Sequence, residues 1–209
     1  MDWKLIDWTA KNAWLIEGGK MKKVGVLALQ GSVEEHISIL KKIEGIEPIK
    51  VKTREELMEV DRLIIPGGES TTMGKLLRDF NLLNPLVDRI KDGMPVWGTC
   101  AGMILLAKKI EGSPEGHLMV MDIQVRRNAY GRQIYSFMIR KVIPEFSNEK
   151  IPLIFIRAPY ITEIGKNVTP LLELDGHILA AKQENMLATS FHPELTNNTV
   201  VHDYFCNKM

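Results

Sequence analysis

Hydrophobic and polar positions alternate in blocks along most of the chain. Val24 to Leu29 is a continuous apolar run, the pattern of a strand buried on both faces. Gln30-Gly31 breaks it, and Ser32-Val33-Glu34-Glu35 has the form of a helix capping box. A helix is predicted from Val33 to about Glu44, with Ile37, Leu40 and Ile43 on one face. Ile46–Val51 and Arg62–Ile65 read as further strands, the latter ended by Pro66-Gly67-Gly68. A helix carrying Met73, Leu76, Leu77 and Phe80 follows. Pro95–Gly98 reads as a strand and Ala101–Ile110 as a helix closed by Gly112. Strands alternating with helices imply a parallel sheet covered on both faces. From Val120 to about Leu187 the pattern changes to short alternating segments separated by Gly, Pro and Asn, which suggests an antiparallel extension. A last helix is predicted from Thr196, burying Val200, Val201, Tyr204 and Phe205.

The chain has 209 residues, a length that suits one α/β domain. Residues 1–20 stand apart. They hold Trp3, Trp8 and Trp14, and their apolar runs are broken by Asp2, Lys4, Asp7, Lys11 and Glu17. That pattern is neither a signal peptide nor a membrane span. It allows a small amphipathic helix through Trp3, Ile6 and Ala10, or a disordered tail. We therefore expect an N-terminal extension over 1–20 and a single domain over 21–209.

A formal net charge of +1 with interspersed signs lacks the basic stripe of a nucleic-acid binder. No segment approaches a membrane span. Two cysteines, Cys100 and Cys206, make no disulfide framework, so a reducing cytoplasm is the expected setting.

Three short motifs carry chemistry. Gly98-Thr99-Cys100-Ala101-Gly102 lies between a strand and a helix, as a cysteine version of the nucleophile elbow. A sharp turn there exposes the thiol at the carboxyl end of the sheet. The helix N-terminus favours the thiolate, and the Ala101 amide is a natural oxyanion donor. His192-Pro193-Glu194 follows the apolar segment Met186–Phe191. Residues i and i+2 of an extended chain share a face, so Glu194 can orient the imidazole while its other nitrogen meets the thiol. The Gly67-Gly68 pair leaves backbone amides open to an anionic oxygen, and a second oxyanion donor at Gly68 is its better use, since the phosphate-loop pattern is absent. His36, His117, His177 and His202 have no metal-ligand spacing and read as structural or solvated, His36 on a helix that could also face a partner.

Together the elbow, the His-Pro-Glu and the Pro-Gly-Gly resemble a class I glutamine amidotransferase. The fuller set is narrower: LALQG at 27–31, PGGESTTM at 66–73, GTCAG at 98–102, RNAYGRQ at 127–133, FIRAP at 155–159 and HPEL at 192–195. This combination resembles the glutaminase subunits of pyridoxal 5′-phosphate synthases over about residues 23–206. Tyr130 departs from the usual Phe of that pattern, and Met138 stands where an acidic residue is common.

The resemblance implies a flavodoxin-like, three-layer α/β fold and a triad of Cys100, His192 and Glu194. It implies that L-glutamine is held at Gly68, Glu69 and Ser70, by Arg127, and at Ile156 and Arg157. Arginine suits the α-carboxylate, and Glu69 can face the α-ammonium. It also implies a separate synthase subunit as partner, receiving ammonia to build pyridoxal 5′-phosphate, with no metal or organic cofactor in this chain. The alternatives are an amidotransferase serving another synthase, a cysteine peptidase or deglycase of similar fold, and a binding module in which Cys100 is inert.

Overall fold

The structure is a computed structural model that describes residues 21–127 and 136–209. The expectations for residues 1–20, for Tyr130 and for most of the RNAYGRQ motif lie outside these residues. Among them the chain runs β1 (Lys22–Leu27), α1 (Val33–Leu40), β2 (Ile46–Val51), α2 (Arg54–Glu59), β3 (Arg62–Ile65), α3 (Ser70–Asp79) and α4 (Leu83–Lys91). It continues through β4 (Val96–Thr99), α5 (Ala101–Leu106), β5 (Ala107–Ile110) and β6 (Met121–Arg126). Next come β7 (Ser136–Ile143), β8 (Ser147–Ile156), β9 (Tyr160–Ile164), β10 (Thr169–Leu174), β11 (His177–Gln183), β12 (Met186–Thr189) and α6 (Val200–Asn207).

The main sheet has the order β2-β1-β3-β4-β12-β11-β9-β6-β5, with β10 paired to β11. Its first five strands are mutually parallel. The β12–β11, β11–β9 and β9–β6 pairings are antiparallel. The extension expected in the second half is therefore present, and β7 and β8 add a separate antiparallel pair. Period-2 alternation sends successive side chains to opposite faces. Leu63 and Ile65 of β3 join one core cluster with Leu57, Leu77, Ile90 and Leu105 from helices α2 to α5. Ile64 joins the other, with Leu40 of α1, Phe205 of α6 and Phe155 of β8. Helices thus cover both faces of the sheet, as three layers.

Three helix boundaries and one cap differ from expectation. The helix expected over Ala101–Ile110 ends at Leu106, because Ala107–Ile110 pairs in parallel with β6 as a strand. The first helix stops at Leu40 rather than near Glu44, and the last begins at Val200 rather than Thr196. The Ser32 capping box does not form, since the Ser32 side chain makes no cap hydrogen bond. A capping box does form one helix later, where Thr53 and Glu56 start α2.

Candidate active site

Adjacent parallel strands bring their carboxyl ends to one edge of the sheet, and ligands of open α/β sheets bind there, at the point where strand order reverses. β1, β3, β4 and β12 are such neighbours. The segments that follow them are Gln30-Gly31, Pro66-Gly67-Gly68, Cys100 and His192, so all the chemical motifs converge at this edge.

Cys100 sits at φ 48°, ψ −101° between β4 and α5, in a region disfavoured for a residue with a Cβ. The flanking glycines are required by close approach. A Cβ on Gly98 would lie 2.4 Å from the Gly102 carbonyl carbon, and one on Gly102 would lie 2.1 Å from the Ile65 carbonyl oxygen. Both obstacles are backbone, so the turn accepts no side chain at either place. The Cys100 amide donates to the Thr189 carbonyl at 2.7 Å, tying the elbow to β12.

His192 and Glu194 meet across a short 3-10 turn, Pro193–Leu195, rather than along an extended strand as expected. His192 Nδ1 is 2.7 Å from Glu194 Oε1. Its Nε2 is buried and has no hydrogen-bond partner among the described residues. Cys100 Sγ lies 3.9 Å from the Ile156 carbonyl oxygen, and the thiol is close enough to the ring to bias its charge. Burial disfavours the imidazolium. Cys100 and then Glu194 outweigh that and raise the His192 pKa to about 10. Glu194 is buried too, which opposes its charge, yet His36, His192 and the Ser32 hydroxyl hold its pKa well below the usual carboxylate range.

The Ser32 hydroxyl donates to Glu194 Oε1 at 2.7 Å, which is where the side chain goes instead of capping α1. The turn before it is tightly packed. Gly31 has φ +105°, and a Cβ there would lie 1.8 Å from the Gly67 carbonyl oxygen, which accepts from the Ser32 amide at 3.0 Å. Gly67 packs on the same sheet edge in turn, since its own Cβ would lie 2.4 Å from His192 Cε1.

A cleft of about 490 Å³ opens over these groups. Cys100, Ala101 and His192 line it with Gly68, Glu69, Ser70, Arg127, Ile156 and Arg157, so every expected substrate-side residue borders one cavity. Glu194 stands behind His192, outside that lining. Glu69 also caps α3, its carboxylate accepting from the Thr72 amide at 3.0 Å and from the Thr71 and Thr72 hydroxyls. The Glu69 amide donates to Gln30 Oε1 at 2.8 Å, which joins the LALQG turn to this loop. Arg157 has φ 44°, a left-handed conformation that ends β8 at the cleft wall.

Two histidines that the sequence marks as structural or solvated occupy a place it does not signal. His36 and His202 are both fully buried behind Glu194, on α1 and α6. His177 stacks on Tyr160 with ring centroids 3.9 Å apart. Among the described residues no group of three or more His, Cys, Asp or Glu is placed to hold a metal ion. No helix there is long and apolar enough to cross a membrane.

The family model of the SNO glutamine amidotransferase family matches residues 26–209. A pyridoxal 5′-phosphate synthase subunit PdxT of Clostridium botulinum is 55% identical over 188 residues, covering 90% of this chain and 97% of the relative. One from Ruminiclostridium cellulolyticum is 57% identical over 185 residues, covering 88% and 98%. A crystal structure of a glutamine amidotransferase superposes with a TM-score of 0.82 at 43% identity, covering 87% of this chain and 96% of that one.

Proposed function

The chain belongs to the SNO glutamine amidotransferase family, and we propose that it is the glutaminase subunit of a pyridoxal 5′-phosphate synthase, with Cys100, His192 and Glu194 as its triad. The observation that carries the assignment is the placement of His192, fixed by Glu194 at 2.7 Å and set beside Cys100 at the floor of the cleft. We read residues 21–209 as one amidotransferase domain that works in the cytoplasm, a setting in which a nucleophilic thiol stays reduced.

The raised pKa of His192 makes its resting form an imidazolium beside Cys100, and a cysteine acts as a nucleophile in its thiolate form. The thiolate attacks the side-chain amide carbon of glutamine. The carbonyl oxygen becomes an oxyanion, received by the backbone amides of Ala101 and Gly68; one such donor typically contributes about 10²–10³ in rate. As the C–N bond breaks, the His192 proton passes to the departing nitrogen and ammonia leaves. The product is a thioester on Cys100. Neutral His192 then takes a proton from water as its oxygen attacks the thioester carbon, and glutamate departs with cleavage of the C–S bond. Glu194 keeps Nδ1 protonated and oriented throughout. Arg127 or Arg157 suits the α-carboxylate of the substrate through its planar fork. Glu69 retains its negative charge while capping α3, so the same carboxylate can face the α-ammonium.

The PdxT name of the relatives supports a synthase subunit as the receiver of the ammonia. The test is reconstitution with a candidate synthase. Synthase alone should form pyridoxal 5′-phosphate from its sugar phosphates and ammonium salts. With glutamine as sole nitrogen source, product should appear only when this chain is added. Glutamine hydrolysis without any glutamine-dependent product would point to another synthase, and peptide cleavage without glutaminase would point to a peptidase-like hydrolase.

A further inference from the structure

Behind the triad lies a buried polar chain that the reaction described above does not use. Glu194 Oε1 is saturated by His192 and Ser32, at 2.7 Å each. Its second oxygen, Oε2, is buried without a hydrogen bond among the described residues, and His36 Nε2 faces it at 3.6 Å. That distance is an electrostatic contact rather than a hydrogen bond. His36 Nε2 also lies 3.4 Å from the Thr99 hydroxyl, one residue before the nucleophile. On the far side of the ring, His36 Nδ1 is 2.9 Å from His202 Nε2, and His202 Nδ1 is buried with no partner among the described residues. Trp97 packs edge-on against both rings, at 5.7 and 4.9 Å between centroids, and its indole nitrogen donates to Thr189 at 3.0 Å.

This arrangement distinguishes the tautomers. Suppose His36 carried its proton on Nδ1. Its bare Nε2 lone pair would then face the Glu194 carboxylate, and His202 would bury an N–H with no acceptor. Both are unfavourable in a site closed to bulk solvent. With the protons on the Nε2 atoms of both rings, His202 donates to His36 Nδ1, and the His36 N–H faces both the Thr99 hydroxyl at 3.4 Å and Glu194 Oε2 at 3.6 Å. What is left over is then the His202 Nδ1 lone pair, the cheaper group to leave alone.

We propose that His36 is a positioning residue of the glutaminase reaction: held in its neutral Nε2–H tautomer by His202, it stabilises the ionised Glu194 from behind and so fixes His192 against Cys100. The inference rests on the triad reading and extends it to a chain of Cys100, His192, Glu194, His36 and His202. Its elements are far apart in sequence. α1 supplies His36 and the last helix supplies His202, so both ends of the fold support the base. The groups facing Glu194 are Ser32, His192 and His36. Those facing His36 are Glu194, His192, Glu35, His202, Thr99 and Trp97. Both histidines are pushed toward neutrality by burial.

The test compares His36→Leu with His36→Gln in the assembled complex. Leucine removes the N–H, while the glutamine amide returns a donor at about the same reach. His36→Leu should lower kcat for glutamine hydrolysis roughly tenfold with little change in KM, the lower end of the loss when an outer-shell partner of a metal-bound imidazole is removed. The acid limb of its pH profile should move to higher pH, because a carboxylate that loses the N–H dipole facing it protonates more readily. His36→Gln should recover most of the turnover and the original limb. Wild-type kcat and pH profile in His36→Leu, or equal losses in both variants with an unmoved acid limb, would overturn the proposal. Nitrogen-15 NMR of the wild-type chain is independent of the variants' folding: His36 and His202 should each show a protonated Nε2 and a bare Nδ1 at neutral pH. A protonated His36 Nδ1 would overturn the assignment. Wild-type and Cys100→Ala controls keep the triad reading separate, since that reading fails only if the wild type is inactive or the Cys100 variant is active.

Discussion

Ser32 and Glu194, 162 positions apart, share a hydrogen bond of 2.7 Å in which the hydroxyl donates to the carboxylate. The bond joins the start of α1 to the turn after β12, and so couples the LALQG turn to the group that orients His192. It also costs α1 its side-chain cap, a local loss accepted in favour of a buried charge.

Replacing Ser32 by Ala should therefore act through the site more than through the helix. A buried carboxylate that loses a donor typically costs about 1.5–3 kcal/mol. The denaturant midpoint of Ser32→Ala should fall accordingly, and glutamine turnover should drop with KM nearly unchanged. Turnover equal to wild type would show that Glu194 does not depend on this donor.

The two cysteines should differ sharply in reactivity. Cys100 borders the cleft beside His192. Cys206 is fully buried on α6, and burial pushes its thiol up to about 12. Iodoacetamide near neutral pH should modify one thiol per native chain, and peptide mapping should place it at Cys100. Labelling at Cys206 with Cys100 untouched would contradict the assignment of the nucleophile.

The alkaline side of the pH profile reports on His192. Its pKa is raised to about 10, burial being outweighed by Cys100 and Glu194, so the imidazolium is present through neutral pH and lost as pH rises through that value. The departing nitrogen then lacks its proton donor, and turnover should fall on that side. Glu194→Gln removes a charge that raises the pKa, so the alkaline limb should move to lower pH. The variant should also retain more activity than His192→Ala, which removes the proton carrier itself. An unmoved limb in Glu194→Gln would separate the carboxylate from the titration of the base.

The nucleophile turn should tolerate no added methyl. Gly98→Ala places a Cβ against the Gly102 backbone, which has no flexible end to move aside. Overpacking of this kind costs typically about 1–3 kcal/mol. Thermal denaturation should show a clear loss, and the displaced elbow should lower turnover beyond what stability accounts for. A variant as stable and active as wild type would mean that the turn has slack that its packing does not show.

The convergence of the motifs at the sheet edge is legible in the sequence because they are short and lie at the ends of strands. GTCAG, PGG and HPE each follow an apolar run, and parallel pairing alone brings such ends together. What the sequence conceals depends on distant partners. Ala107–Ile110 continues an apolar helical stretch, and only pairing with Met121–Arg126 makes it a strand. Ser32-x-x-Glu35 has every local mark of a capping box, yet Glu194 claims the hydroxyl. The helices Arg54–Glu59 and Leu83–Lys91 are absent from the expected elements, although Thr53-x-x-Glu56 carries a capping signal for the first of them. His36 and His202 have the pattern of ordinary helix residues, because nothing within either helix reveals that they meet at 2.9 Å behind the base. Glu69 is expected to face the substrate ammonium; that its carboxylate also caps α3 follows from the turn geometry after β3.

The most direct measurement is glutamate release from glutamine by the wild-type chain and by Cys100→Ala, each in the presence of its synthase subunit. Cys100 sits at the cleft with little packing role, so the variant should keep its circular dichroism spectrum and its association with the partner. Its turnover should fall by at least about 10³-fold, as for removal of a covalent nucleophile. Substantial glutamine hydrolysis by a folded, partner-bound Cys100→Ala chain would contradict the account at its centre.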